Sequence, residues 1–223
     1  VNPLWRGYME IIIAFIAASI TFAFMEYTYR HLPVVDFRPY KIGNHLPTLM
    51  EYPEDAAPDV YEFSFVYEKD GVEETFTLEN YPKGDSTWTF VRQESKLIKK
   101  GYEPPIHDFE IINADYEDLT WDILESEEPV TLVVMYDLKK ADKKQMAKVE
   151  ALYENCMMNM AQCYILTGSG TDEISTFSHE YPTLSDGICT CDPVTLKTIV
   201  RANPGVIVVQ NGVVIDKYNI RNR

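Results

Sequence analysis

The residues with the widest chemical scope in this chain are its four cysteines, Cys156, Cys163, Cys189 and Cys191. Cys189-Thr190-Cys191 forms a CxC pair in a loop ahead of a helix that opens with Asp192 as cap and Pro193 at its first position. The partial positive charge of a helix start favours a thiolate, which is the attacking species in disulfide exchange. Cysteines separated by one residue bridge only with strain, which raises the reduction potential, so a cycling pair here would be a labile oxidant. The plainer reading is of two half-buried small residues beside a strand end. Cys156 falls inside a helical pattern and Cys163 opens a strand, so both read as core residues. A bridge between them, or to the CxC pair, stays open in an oxidising compartment.

The other candidates point away from chemistry. His107 and His179 lack partner spacing for a triad or a metal, and the cysteines show no zinc pattern. Met157, Met158 and Met160 would suit a soft copper ion, but they sit on a helix built to pack, so core filling is expected. Gly168-Ser169-Gly170 lacks the lysine and glycine spacing of a phosphate loop and reads as a turn. The acidic run 125–128 reads as a solvated helix end. No metal or cofactor is expected. A net charge of −15 with no offsetting basic stripe argues against a nucleic-acid partner.

These residues are positioned by an α/β pattern at the end of the chain. With 223 residues, 46% of them apolar, a real core is expected in one full domain plus attachments. A short strand at 110–113 precedes 131–136 (TLVVMY), a continuous apolar run suited to a central parallel strand. Then come a helix over 142–160, a strand at 162–167, helices over 172–180 and 193–201, and a hairpin of 206–210 and 213–218 about Asn211-Gly212. Upstream, Lys69-Asp70-Gly71 turns a hairpin of 61–67 and 73–78, and a second strand pair is expected at 86–92 and 96–99. Residues 44–102 therefore read as a small β-rich subdomain, and the two prolines in 30–43 mark a linker.

The first 29 residues carry a membrane helix. Residues 11–25 contain no charge, Glu10 and Glu26 bracket them, and Trp5, Tyr8, Tyr27 and Tyr29 stand where interfacial aromatics belong. Apolar residues run all round the segment, as lipid requires, so residues 5–29 are expected in the bilayer. A signal peptide fits poorly, for want of a basic opening and a small-residue cleavage site. The chain begins at Val1, without an initiator methionine, and is expected to be a fragment of a longer protein.

Pro104-Pro105-Ile106-His107-Asp108-Phe109 resembles the opening of peroxiredoxin and TlpA-like domains, and NPGVIVVQNGVVIDKY resembles their ending, so residues 103–223 look like a thioredoxin-like domain. The resemblance implies that Pro204 is the cis-proline beside the reactive site; on its own it reads as an ordinary strand-entry proline. In that fold the nucleophilic cysteine stands in the turn after the 131–136 strand. Here the turn is Asp137-Leu138-Lys139-Lys140-Ala141-Asp142, with neither thiol nor histidine, which excludes the family's usual exchange or peroxide reduction at this turn.

A longer resemblance covers RHLPVVDFRPYKIG, TLENYP, DSTWTFV, KKGYEPPIHDF and LKTIVRANPG, which look like the C-terminal region of bacterial DoxX-like proteins, related to the MauE group. It implies further membrane helices upstream as partners, the bacterial inner membrane, and a periplasmic soluble part. Positive-inside counting points the other way, with Arg6 before the helix and Arg30, Arg38 and Lys41 after it. The function expected is a non-catalytic binding or assembly module with a protein partner; the alternative is a thiol-disulfide redox protein acting through Cys189 and Cys191.

Overall fold

The computed structural model describes residues 3–222, with side chains from residue 8 onward. Helix α1 (Pro3–Arg30) has no polar face to turn toward water, and its described side chains, from Tyr8 to Arg30, are exposed. Its stretch Tyr8–Arg30, 23 residues long, is long and apolar enough to cross a bilayer, at about 35 Å for a rise of 1.5 Å per residue. The hydroxyls of Ser19 and Thr21 donate back to the carbonyls of Phe15 and Ala17, which satisfies them within the helix. The side chains of Trp5 and Arg6 lie outside the described residues.

The chain divides into two units, Val1–Met50 with Pro105–Arg223, and Glu51–Pro104. The linker expected over 30–43 is instead packed onto the first unit. Tyr40 is buried with its ring against Phe109, and the short helix α2 (Leu46–Met50) buries Leu46. Between them the backbone runs along the hairpin that ends the chain: Gly43 N–H donates to Val214 O, Val214 N–H to Asn44 O, and Leu46 N–H to Gly212 O. A bare sheet edge leaves its donors and acceptors open, and this segment closes it. The β-rich unit accordingly starts at Glu51 and not at 44.

That unit is a three-stranded antiparallel sheet of β1 (Val60–Lys69), β2 (Val72–Thr77) and β3 (Thr89–Lys99), in the order β2-β1-β3. Asp70 and Gly71 take the positive φ angles, 54° and 80°, that the tight turn demands. The strand pair expected at 86–92 and 96–99 is one strand. Gln93-Glu94-Ser95 holds no Gly, Pro, Asn or Asp, and it continues the ladder opposite Phe65, Ser64 and Phe63. Tyr67 meets Phe76 and Phe90 edge-on, which fastens the outer strands to the middle one.

In the first unit, α3 (Thr120–Leu124) leads to β4 (Val130–Val134), α4 (Met146–Met158), β5 (Cys163–Thr167), α5 (Thr171–Glu180), β6 (Ile188–Thr190), α6 (Pro193–Ile199), β7 (Gly205–Gln210) and β8 (Val213–Asn219). The sheet order is β6-β5-β4-β7-β8, with β4, β5 and β6 parallel and β7 and β8 antiparallel to their neighbours. A parallel crossover half followed by an antiparallel hairpin, entered through a cis Asn203–Pro204 bond, is the thioredoxin-like arrangement. Leu132, Val133 and Val134 are buried on both faces, as a central strand between two apolar clusters must be.

Three local expectations change. The strand at 110–113 shrinks to Ile112, bridged to Asp118 and Thr190. The CxC segment is not a loop, since Cys189 sits in the short edge strand β6. The methionines do not fill the core: Met157, Met158 and Met160 are 58%, 76% and 96% exposed. The inward stripe of α4 is Met146, Val149, Tyr153 and Cys156, spaced for one helical face, and the methionines fall off it.

Candidate functional site

The turn after β4 is built from ion pairs. Asp137 caps a single 3-10 turn, accepting the Lys140 N–H at 3.1 Å and the Lys140 ammonium at 2.7 Å. The lysine's hydrogen bond, opposed by partial burial, holds the Asp137 carboxyl below the usual range. Lys139 reaches Glu173 at 2.7 Å, and Leu138 N–H donates to the Ser169 hydroxyl at 3.0 Å. Asp142 accepts the Lys144 N–H, and its other oxygen takes both Nε and Nη2 of Arg221 at 2.9 and 2.8 Å. Burial pushes the Asp142 carboxyl up, but these hydrogen bonds outweigh it and keep the group below its ordinary value. Asp137 and Lys140 thus pair with each other, Lys139 with Glu173 and Asp142 with Arg221, at a position where a nucleophile would need to stand clear.

Asn203 binds the turn at both ends. Its side-chain amide donates to Asp137 O at 2.7 Å, and its carbonyl accepts the Asp142 N–H at 3.0 Å. Pro204 follows through the cis bond and delivers Gly205 opposite Val134. The Lys197 ammonium covers the Tyr136 ring at 5.4 Å. Two buried acceptors have no partner among the described residues, Asn203 Oδ1 and Gln145 Oε1, the second just three residues past Asp142. Sequence reasoning reached the turn and Pro204 but not Asn203, Ser169 or Arg221. Adjacency to Pro204 was a signal for Asn203; Arg221 lies 79 residues from Asp142 and offered none.

Cys189 and Cys191 are both free, both in the same apolar cluster, and 2% and 8% exposed. Burial pushes the Cys189 thiol up to about 11 and the Cys191 thiol up to about 12, with main-chain hydrogen bonds from Asp192 and Glu110 opposing the latter. The helix start that could have activated them is already used: Asp192 Oδ1 accepts the Val194 and Thr195 N–H groups at 2.9 and 2.8 Å. Cys191 lines a crevice of about 660 Å³ at the ends of β5 and β6, beside Thr167, Ser169, Asp118 and Trp121. His107 borders the same crevice, its ring 3.1 Å from Asp108. His179 stands in the last turn of α5. Cys156 and Cys163 are hydrogen-bonded thiols in the other cluster, where burial first, and then Cys156, raises Cys163. Among the described residues no group of three or more His, Cys, Asp or Glu side chains is arranged to hold a metal ion.

A family model described as a domain of unknown function, DUF8463, matches residues 61–100, which lie in the three-stranded unit. No curated protein matches the chain. Among solved structures, BsSco, described as a member of the Sco family of cytochrome c oxidase assembly proteins and the subject of work on a disulfide switch, is similar to this chain. The identity is 12% and the TM-score 0.40, over 53% of this chain and 84% of that one.

Proposed function

We propose that this chain is a membrane-tethered thioredoxin-like module that acts by binding or assembly rather than by dithiol exchange, as the C-terminal part of a DoxX-like membrane protein with its soluble portion in the periplasm. The observation that carries the reading is the 137–142 turn, tied by Asn203, Arg221 and its own lysines with no thiol in it. The quoted segments that resemble DoxX-like proteins support the wider assignment, and upstream membrane helices and a protein partner follow from it. The test is reduction of a peptide disulfide by the full chain in detergent, compared with Cys189→Ser. Equal and near-zero rates are expected; turnover that disappears in the variant would overturn the proposal.

A redox reading survives on one observation, that Cys191 lines the crevice with Cys189 two residues behind it. Counting thiols with and without reductant decides it. A reducible bridge confined to Cys189 and Cys191 would favour that reading, and four free thiols throughout would remove it.

A further inference from the structure

We propose that the end of the sheet carrying the 137–142 turn is a docking face for anionic lipid headgroups, a proposal that rests on α1 spanning the bilayer. The register places Val134, Gly205 and Asn219 in one row across β4, β7 and β8, so the turn after β4 and the end of β8 lie at the same end of the sheet. Helix α1 arrives there. Asn219 Nδ2 donates to Tyr29 O at 3.2 Å, and Arg221 Nη1 reaches the same carbonyl at 3.4 Å. The Arg221 guanidinium also lies over the Tyr29 ring, 4.1 Å from its centre, while holding Asp142. One side chain therefore spans from the last turn of the helix to the turn after β4.

With Tyr27 and Tyr29 in the aromatic belt, the headgroup layer beyond the hydrocarbon is roughly 5–8 Å deep on each side. Arg221 and Asp142 fall at that depth, and the chain then continues through Lys143 and Lys144. In a protein of net charge −15 this segment is basic. Lys139, Lys140 and Lys143 are matched by Glu173, Asp137 and Glu180. Lys144 and Lys148 have no ion pair among the described residues, although the Lys144 charge acts on the Asp142 carboxylate that its N–H meets; Lys148 donates to the carbonyls of Ile220 and Arg221, just past β8. At this end each of these carboxylates is matched by a cation, Asp142 by Arg221, whereas Asp108, Glu110, Asp118 and Asp192 line the crevice beside β6, the edge opposite β8. The separation of charge favours one orientation over an anionic surface, with the basic side down.

The test uses the full chain in lipid nanodiscs of phosphatidylcholine alone or mixed one to one with phosphatidylglycerol. Amide hydrogen exchange over 137–148 should slow several-fold in the anionic discs, and salt should reverse the effect. Attraction of roughly five-fold per lysine predicts that the double variant Lys144→Glu, Lys148→Glu loses the difference. The control Lys96→Glu, Lys99→Glu, in β3, should keep it. Equal exchange in the two lipids, or a difference that survives in the first variant, would overturn the docking. Extraction of the chain by alkaline carbonate would instead overturn the spanning of α1, and the proposal with it.

Discussion

Asn203 donates its side-chain amide to the main-chain oxygen of Asp137 at 2.7 Å, so the residue ahead of the cis-proline fastens the entry of β7 to the turn after β4. The bond connects positions 66 apart and, together with the Asp142 N–H on Asn203 O, closes the turn from both sides. Replacing Asn203 with Ala removes the shorter of two bonds to the Asp137 carbonyl, leaving the one from Lys140 N–H at 3.2 Å, and cuts the side-chain link from the turn to β7. The expected cost is about 1–2 kcal/mol, read as a lower thermal unfolding midpoint in detergent. An unchanged midpoint would mean the tie contributes nothing to the turn.

Lys217 makes an equally specific demand on the segment that follows the membrane helix. Its side chain is 2% exposed, and the ammonium is met by Asp36 at 2.6 Å and by Tyr40 O at 2.9 Å. Burial raises the Asp36 carboxyl, but the hydrogen bond from Lys217 and that from Arg38 N–H outweigh it, so the folded value lies below the unfolded one. The stability this provides is present above the unfolded carboxylate pKa of about 4 and disappears as pH falls through the folded value. Acid should therefore loosen residues 31–50 first, seen as early proteolysis of that segment. In Asp36→Asn the acid dependence should flatten, and a wild-type acid limb in that variant would sink the assignment. Lys217→Met should destabilise by about 2–3 kcal/mol, less than for a fully buried pair because Asp36 keeps Arg38 and some water.

The thiols supply a third expectation. At neutral pH a thiol titrating near 11 is ionised on the order of a hundred-fold less than a free one, so Cys189 and Cys191 should resist iodoacetamide in the native chain and react after unfolding. Because burial raises both values, their contribution to stability is complete below the unfolded thiol pKa of about 8.5. It is then lost as pH rises toward the folded values. Rapid native labelling at neutral pH would contradict the burial argument.

These residues also mark where sequence reasoning works. The hairpin about Asn211-Gly212 and the apolar run of β4 were legible because turn chemistry and a strand's pattern are local; Asn211 and Gly212 do take positive φ angles of 48° and 71°. The Asp192 cap was legible for the same reason. Residues 31–50 were not, because what holds them lies far along the chain: Asp36 finds Lys217 across 181 positions, and no period in RHLPVVDFRPY records that. Strand β6 escaped because three residues carry no alternation, and with it went the burial of the CxC pair. The methionines were misplaced because composition suggested packing where only their helical phase decides it. At the turn itself the missing thiol was plain from the sequence, whereas the network filling it was assembled from Asn203 ahead of β7, from α5 and from Arg221 after β8.

Arg221 gives the last prediction, because its two roles can be separated by a conservative change. A lysine at this position keeps a cation above the Tyr29 ring, but one ammonium cannot reproduce the paired Nε and Nη2 bonds to Asp142 Oδ2. Arg221→Lys should therefore lose about 1–2 kcal/mol of stability, since both side chains are largely buried and the lost bonds are charge-assisted. The pH dependence carries the finer signature. Asp142 titrates below its ordinary value in the folded chain because the bonds from Arg221 and Lys144 N–H overcome its burial. That contribution is present above the unfolded pKa and is lost as acid protonates the folded carboxyl. With the fork removed, the folded and unfolded values draw together, and this part of the acid-dependent loss shrinks. Unfolding midpoints followed from neutral pH down to about pH 3 should give a variant that starts lower and falls less steeply than the parent. A constant offset at every pH would assign the loss to packing against Tyr29 and leave the Asp142 bond without an energetic role.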